Sequence, residues 1–155
     1  MLIEDINEFF SLIPTKKRVL ALDIGTKTIG LSISDFTYKI ASSLLTIKRK
    51  KFTRDAEELI AIIHESDVGG LVVGLPINMD GSEGAKCQSV RQFVRNFLKI
   101  HDIPVAFHDE RLSTCAAEGT LLEADMSRQK RKLVIDKVAA SYILQPFLDK
   151  YNQQY

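Results

Sequence analysis

Apolar positions along this chain recur with two patterns, one typical of helices and one of strands, and these patterns predict its secondary-structure elements. Within residues 1–17 apolar side chains fall three or four positions apart, which is typical of an amphipathic helix, and Pro14 ends that pattern. From residue 18 onward, short apolar runs bounded by Gly and Pro are typical of strands. The predicted strands cover residues 18–24, 29–34, 39–48, 70–75 and 104–108.

Segments with helical spacing separate the later strands. The predicted helices are one capped by Thr53, one containing Val90 and Leu98, one capped by Ser113 or Thr114 and running to about Ala124, and a last one through Asp136 to about Leu148. The order is therefore β-β-β-α-β-α-β-α-α. Three strands in hairpin style, followed by strands that alternate with helices, predict an α/β fold with a mixed sheet and helices on both faces.

Composition narrows the class of protein. The chain has 155 residues, of which 45% are hydrophobic and 26% charged, as expected of one globular domain with a core. Its net charge of +1 provides no global basic field, so any nucleic-acid binding depends on local patches. Two cysteines, acidic residues near the amino terminus and the lack of a 20-residue apolar run predict a soluble, cytoplasmic protein without a membrane partner.

Three acidic residues occupy positions that suggest chemistry. Asp23 ends the first predicted strand, although Asp is depleted in strands, and a glycine turn follows it. Glu110 comes just after the strand 104–108, and Asp136 lies one turn into the last predicted helix. Strand ends and helix starts meet at one sheet edge in such folds. Carboxylates suit Mg²⁺, and two ions about 4 Å apart can hydrolyse phosphodiesters.

Each acid also has an ordinary structural reading. Asp23 before a glycine turn suits an Asx-turn. Glu110 can pair with a neighbouring arginine at the surface, and Asp136 is a favourable first-turn acid on its helix. Asp109 fits three roles: a metal ligand, a group behind the ligands, or a loop cap. These alternatives stay open on residue patterns alone.

Two basic clusters are candidates for binding phosphate. The first flanks Asp136 and consists of Arg128, Lys130, Arg131, Lys132 and Lys137. A solvated face is the usual meaning of such a run, but a neighbouring metal ligand favours phosphate docking. The second, residues 48–51 with Arg54, is the weaker candidate because nothing acidic and site-like adjoins it in sequence.

Four segments resemble the motifs of one family, in the same order. They are LALDIGTKTIGL at 20–31, GLPINMDGS at 74–82, DERLST at 109–114 and IDKVAA at 135–140. On these motifs the chain resembles, over about residues 18–149, the YqgF family. This family is also called RuvX and comprises Holliday junction resolvases and pre-16S rRNA nucleases. Four motifs at these spacings form a specific combination.

The resemblance implies an RNase H-like fold, with a five-stranded mixed sheet whose first three strands are antiparallel. It implies a cytoplasmic nuclease that processes the 5′ end of pre-16S rRNA, with Asp23, Glu110 and Asp136 as catalytic acids that hold two Mg²⁺ or Mn²⁺ ions. Arg111 would position these acids or bind phosphate. Residues 18–150 would be the nuclease domain, and residues 1–17 an N-terminal helical extension.

Three features depart from the family pattern. The N-terminal extension precedes the usual start, and it could cover the sheet or mediate a homodimer. Pro146 falls within the last predicted helix, where it should bend the axis. Junction resolvases of this fold carry an acid just after the fourth strand, whereas Gly74-Leu75-Pro76 has none. This difference favours a general nuclease over a junction resolvase.

Other functions remain as alternatives. One is Holliday junction resolution on DNA, and another is a non-catalytic accessory protein that binds nucleic acid while its acids are incidental. Residues 23–26 also resemble the phosphate motif of sugar kinases and actin-like ATPases. Those proteins need two related lobes, and this chain has the length of one, so this alternative ranks below the nuclease.

Overall fold

The computed structural model describes residues 1–111, 140 and 142–153. The strands are β1 (Arg18–Ile24), β2 (Thr28–Ser34), β3 (Ala41–Lys48), β4 (Val68–Leu75) and β5 (Val105–Asp109). The helices are α1 (Ile6–Ser11), α2 (Phe52–Glu65) and α3 (Ala85–Ile100), and residues 142–152 are also helical. The predicted helix after residue 113 lies outside the described residues.

The five strands form one mixed sheet in the order β3-β2-β1-β4-β5. Strands β1, β2 and β3 pair antiparallel, whereas β4 runs parallel to β1 and β5 parallel to β4. This confirms the predicted mixed sheet. Because β1, β4 and β5 run in the same direction, their carboxyl ends meet at one edge of the sheet.

Alternating side chains of β1 divide the core into two layers. Leu20 and Leu22 belong to a cluster that includes the buried faces of α2 and α3. Val19 and Ala21 belong to a second cluster on the other face, with α1 and the helical residues after 142. Each fully buried Leu contributes about 1.5–3 kcal/mol to folding. With a strand period of two, Asp23 follows Ala21 onto the second face.

The N-terminal segment covers this second face. Helix α1 is shorter than the spacing of apolar residues predicts, because Leu2 instead forms a parallel bridge with Val105 of β5. Phe9 and Phe10 of α1 are buried, and both rings pack against Phe147. Ile3, Phe9, Phe10 and Ile13 of the N-terminal segment are thus buried within the chain itself, whereas Leu2 is 49% exposed.

The start of α2 differs from its prediction. The helix begins at Phe52, and Thr53 lies inside it rather than capping it; the capping position is Lys51, whose side chain makes no cap bond. The carboxylate of Asp55, within the first turn, instead accepts the Lys50 N–H at 2.9 Å.

Among the described helices, none is long and apolar enough to span a membrane.

Candidate active site

Two of the three predicted acids meet at the carboxyl edge of the sheet. Asp23 is the penultimate residue of β1, and Glu110 directly follows β5. The Glu110 N–H donates to the Leu75 carbonyl at 3.0 Å, which extends the pairing of β5 with β4 by one residue. The Asp23 carboxyl lies close enough to Glu110 to raise the pKa of Glu110 through hydrogen bonding and through its charge. The predicted convergence of Asp23 and Glu110 is therefore present in the fold.

A glycine on the strand between them provides the space for this pair. A Cβ at Gly74 would lie 2.5 Å from Glu110 Oε1 and 2.6 Å from Ile143 Cδ1. Real Cβ atoms do not approach other atoms so closely, so any side chain at position 74 would displace the glutamate or the helix that carries Ile143. A side chain at position 74, the last residue but one of β4, and the observed Glu110 carboxyl therefore exclude each other.

Burial changes the protonation of Glu110. Desolvation raises the pKa of Glu110 to about 9, and the hydrogen bond to Asp23 and the nearby charges of Asp23 and Asp109 act in the same direction. At neutral pH the metal-free carboxyl therefore holds a proton between two acidic neighbours. A divalent cation would satisfy the same oxygens without the proton, so the pair fits a hard cation.

Asp109 and Arg111 form a separate unit beside the pair. The Arg111 N–H donates to Asp109 Oδ1 at 3.0 Å, and its Nε–H donates to Oδ2 at 2.8 Å. The guanidinium lowers the pKa of Asp109. Both oxygens of Asp109 thus cap the loop that follows β5. Arg111 and Glu110 line a pocket of about 210 Å³ together with Pro76, Ile77 and the exposed Met79.

A larger cavity of about 430 Å³ opens on the acid pair. It is lined by Asp23 and Glu110, residues 24–26, Pro76, Arg49 from the end of the β2–β3 hairpin, and Lys86, Ser89 and Val90 of α3. Arg49 of the second basic cluster thus shares a cavity with the two acids, although nothing acidic and site-like adjoins that cluster in sequence. The signal was available: a hairpin that pairs residues near 28 with residues near 48 brings this cluster beside the Asp23 turn.

The remaining predicted site residues lie outside the described residues. They are Asp136 and the five cations Arg128, Lys130, Arg131, Lys132 and Lys137. Within residues 1–111, 140 and 142–153, no three His, Cys, Asp or Glu side chains are grouped as a metal site. Asp23 and Glu110 are thus two members of the predicted set of three.

A family model described as "RuvX: Holliday junction resolvase" matches residues 17–150. The chain belongs to the RuvX family. Its RuvX relatives include a protein of Paramagnetospirillum magneticum, 54% identical over 142 residues, which are 92% of each chain. Another, from Roseobacter denitrificans, is 53% identical over 152 residues, covering 97% of this chain and 93% of the relative. Both carry the name "Putative pre-16S rRNA nuclease".

Solved structures extend the RuvX comparison to the fold. Thermus thermophilus RuvC aligns with a TM-score of 0.55 at 13% identity, covering 88% of this chain and 96% of RuvC. A fowlpox virus resolvase, solved with Holliday junction DNA, aligns with a TM-score of 0.51 at 12% identity, covering 86% and 98% of the two chains. At such identities the likeness concerns the fold alone. It confirms the predicted RNase H-like architecture of this RuvX chain.

The raised pKa of Glu110 leads to a prediction about stability without metal. Between about pH 4.5 and 9 the folded state holds a proton on Glu110 that the unfolded state has released. This bound proton stabilises the folded state fully below pH 4.5, and the stabilisation is lost as pH rises towards 9. The free energy of unfolding then falls with a limiting slope of about 1.4 kcal/mol per pH unit. We expect the melting temperature in EDTA to fall over this range.

Glu110→Gln separates this effect from other titrations. The amide resembles the protonated carboxyl, so this variant should lose stability less steeply with pH than the parent protein. Glu57→Gln, at an exposed position on α2, is the matched control and should keep the parent slope. Thermal unfolding curves at half-unit pH steps measure the difference. Parallel curves for the parent and Glu110→Gln would contradict the prediction.

Proposed function

We propose that this chain is a metal-dependent nuclease that hydrolyses phosphodiester bonds and processes the 5′ end of pre-16S rRNA. The observation that carries the proposal is the paired Asp23 and Glu110, held at the sheet edge and opening on a cavity with a basic wall. A half-buried pair of carboxyls costs folding stability, and such costly acids are typical of functional sites. An accessory protein with incidental acids would have no use for this arrangement.

We propose Asp23, Glu110 and Asp136 as the acids that hold two Mg²⁺ or Mn²⁺ ions. The hard oxygens of the first two and the raised pKa of Glu110 beside Asp23 support this assignment. Support for Asp136 comes from the sequence: it stands in the family motif IDKVAA at 135–140, and on the predicted last helix it would share a face with Ile143, seven residues later. A Cβ at Gly74 would lie 2.6 Å from Ile143 Cδ1, close to Glu110. When bound, such ions activate water and stabilise the leaving oxygen.

The protein's own groups hold and orient the substrate. Arg111, fixed by Asp109 at the end of β5, faces the pocket beside Glu110 and is proposed to bind a phosphate of the strand. The basic residues Arg128, Lys130, Arg131, Lys132 and Lys137 are proposed as further phosphate contacts. Because both described acids come from one chain, this proposal does not require a homodimer. Its substrate implies activity in the cytoplasm.

Holliday junction resolution is the second candidate. It is supported by the description of the family model and by the fold shared with resolvases. RNA is preferred as substrate because the relatives at about 50% identity are named for pre-16S rRNA. The lack of an acid in Gly74-Leu75-Pro76, at the end of β4, also favours a general nuclease.

A cleavage assay on two substrates tests the proposal. We expect Mg²⁺ or Mn²⁺ to support cutting of an RNA that contains the 5′ precursor segment of 16S rRNA, and EDTA to prevent it. Gel analysis of end-labelled RNA and of a labelled four-way DNA junction, each with and without metal, measures the preference. Cutting of the junction alone would favour the resolvase, and binding without cutting of either substrate would favour the accessory protein.

A further inference from the structure

The end of the β2–β3 hairpin brings an arginine to the rim of the acidic cavity. Arg49 is the first residue after β3, and its backbone N–H donates to the Lys27 carbonyl at 2.9 Å. This bond holds Arg49 against the turn that immediately follows Asp23. The cavity that opens on Asp23 and Glu110 is lined by Arg49 on this side.

The side chain of Arg49 is held by contacts from three directions. Its Nη1 donates to the Gly25 carbonyl at 2.7 Å, two residues beyond Asp23. Its Nε lies 3.6 Å from Asp55 Oδ2, and the guanidinium lies over the Phe93 ring at 5.5 Å from the centroid. An arginine restrained in this way has already lost much of its rotational freedom, so binding an anion costs it less entropy.

Asp55 is an unusual partner for a surface arginine because it is fully buried. One oxygen accepts the Lys50 N–H, while Oδ2 accepts no hydrogen bond from any residue in the described part of the chain. A buried carboxylate is costly without a counter-charge, and the Arg49 side chain, which is 24% exposed, provides one. The pair therefore joins a carboxylate in the core to a cation at the cavity.

We propose that Arg49 binds a phosphate of the nucleic-acid strand next to the phosphate that is cleaved, and that Asp55 positions it. This inference rests on the proposed function of the Asp23–Glu110 pair. The two acids alone provide no attraction for a polyanionic strand, whereas a cation in the same cavity does. The planar guanidinium has five donors, more than Gly25 and Asp55 require, and its geometry suits two phosphate oxygens at once. Lys86 lines the cavity from α3 and adds positive charge.

Binding measurements on a cleavage-deficient protein test the inference. The probe is a fluorescein-labelled single-stranded RNA of the 16S precursor segment, bound to the Asp23→Asn protein in EDTA at several KCl concentrations. Adding Arg49→Gln removes the charge but retains an amide that can donate to the Gly25 carbonyl. We expect the dissociation constant to rise by about five- to tenfold, and the slope of its logarithm against that of salt to fall by about 0.7.

Arg54→Gln is the matched control, because Arg54 is an exposed arginine of the same basic cluster and does not line the cavity. It should change the dissociation constant by less than about twofold. Arg49→Lys keeps the charge opposite Asp55, so it should fold even if Arg49→Gln does not. It should retain the salt slope while losing part of the affinity, since an ammonium lacks the planar fork. Thermal unfolding checks that each variant is folded.

The outcomes for this inference and for the nuclease are distinct, because binding is measured without cleavage. Equal losses of affinity in Arg49→Gln and Arg54→Gln, or no loss in either Arg49 variant, would overturn the role of Arg49 while leaving the nuclease intact. RNA binding that depends on Arg49 in a protein that cuts nothing would support the phosphate contact and overturn the nuclease. A protein that does not bind the RNA at all would overturn the inference.

Discussion

Replacing Asp23 by asparagine is expected to lower the cleavage rate by on the order of 10³-fold, equivalent to about 4 kcal/mol of transition-state stabilisation. The reason is charge rather than shape. Asparagine retains an acceptor for the hydrogen bond with Glu110, so the sheet edge should keep its form. It lacks the negative charge that a hard cation requires from its ligands.

Single-turnover cleavage of the precursor RNA at saturating Mg²⁺ and Mn²⁺ measures this effect. Asp67→Asn is the matched control, because Asp67 precedes β4 at the opposite edge of the sheet and has φ 54°, which asparagine tolerates. The control should cleave at the parent rate. If Asp23→Asn cleaves within tenfold of the parent, Asp23 is not a catalytic ligand. Glu110→Gln should also lose cleavage although it stabilises the metal-free protein at high pH, which would separate inactivation from unfolding.

Gly74→Ala is expected to damage both activity and stability. The new Cβ would need the space of the Glu110 carboxyl, 2.5 Å away, and of the Ile143 methyl, 2.6 Å away. Overpacking of this kind costs about 1–3 kcal/mol of folding free energy. Because a catalytic group displaced by about 1 Å can lose two orders of magnitude in rate, we expect cleavage to fall by on the order of 10²-fold.

Urea unfolding and the same cleavage assay measure the two effects separately. Gly84→Ala is the control, since its Cβ would approach only the end of the Asn78 side chain, at 3.3 Å, and that side chain can move. This variant should stay close to the parent in rate. Normal cleavage by Gly74→Ala would show that the glutamate does not need its observed position.

The sequence pattern predicted the sheet because strands give strong, local signals, and the approach of two acids was an expectation that follows from that sheet. The apolar runs of β1 and β4 identify buried strands, and parallel strands that end at one edge bring Asp23 towards Glu110. The start of α2 was less predictable. Thr53 is a residue type preferred at the N-cap, but the helix begins one residue earlier, at Phe52. The Asp55 carboxylate accepts the N–H of Lys50, just before the helix.

The roles of two site residues, Gly74 and Arg49, could be predicted only with knowledge of neighbours that are distant in sequence. A glycine within an apolar strand signals close approach by another group, but the pattern does not show that the group at Gly74 is Glu110. The position of Arg49 depends on the register of the β2–β3 hairpin, which pairs Thr28 with Lys48. A shift of one residue would have turned its neighbours to the other face. Register and packing therefore determine the basic wall of the cavity.

The bridge between Leu2 and β5 has a consequence for how the molecule behaves in a crowded solution. β5 is the last strand of the sheet, and such a border offers unpaired amides and carbonyls to any extended chain that approaches. The N-terminal segment forms hydrogen bonds with this edge strand at Val105. The Val105 N–H donates to the Met1 carbonyl and the Val105 carbonyl accepts the Ile3 N–H, each at 2.8 Å. The strand that leads to Glu110 is thereby protected at Val105 from strand addition and aggregation.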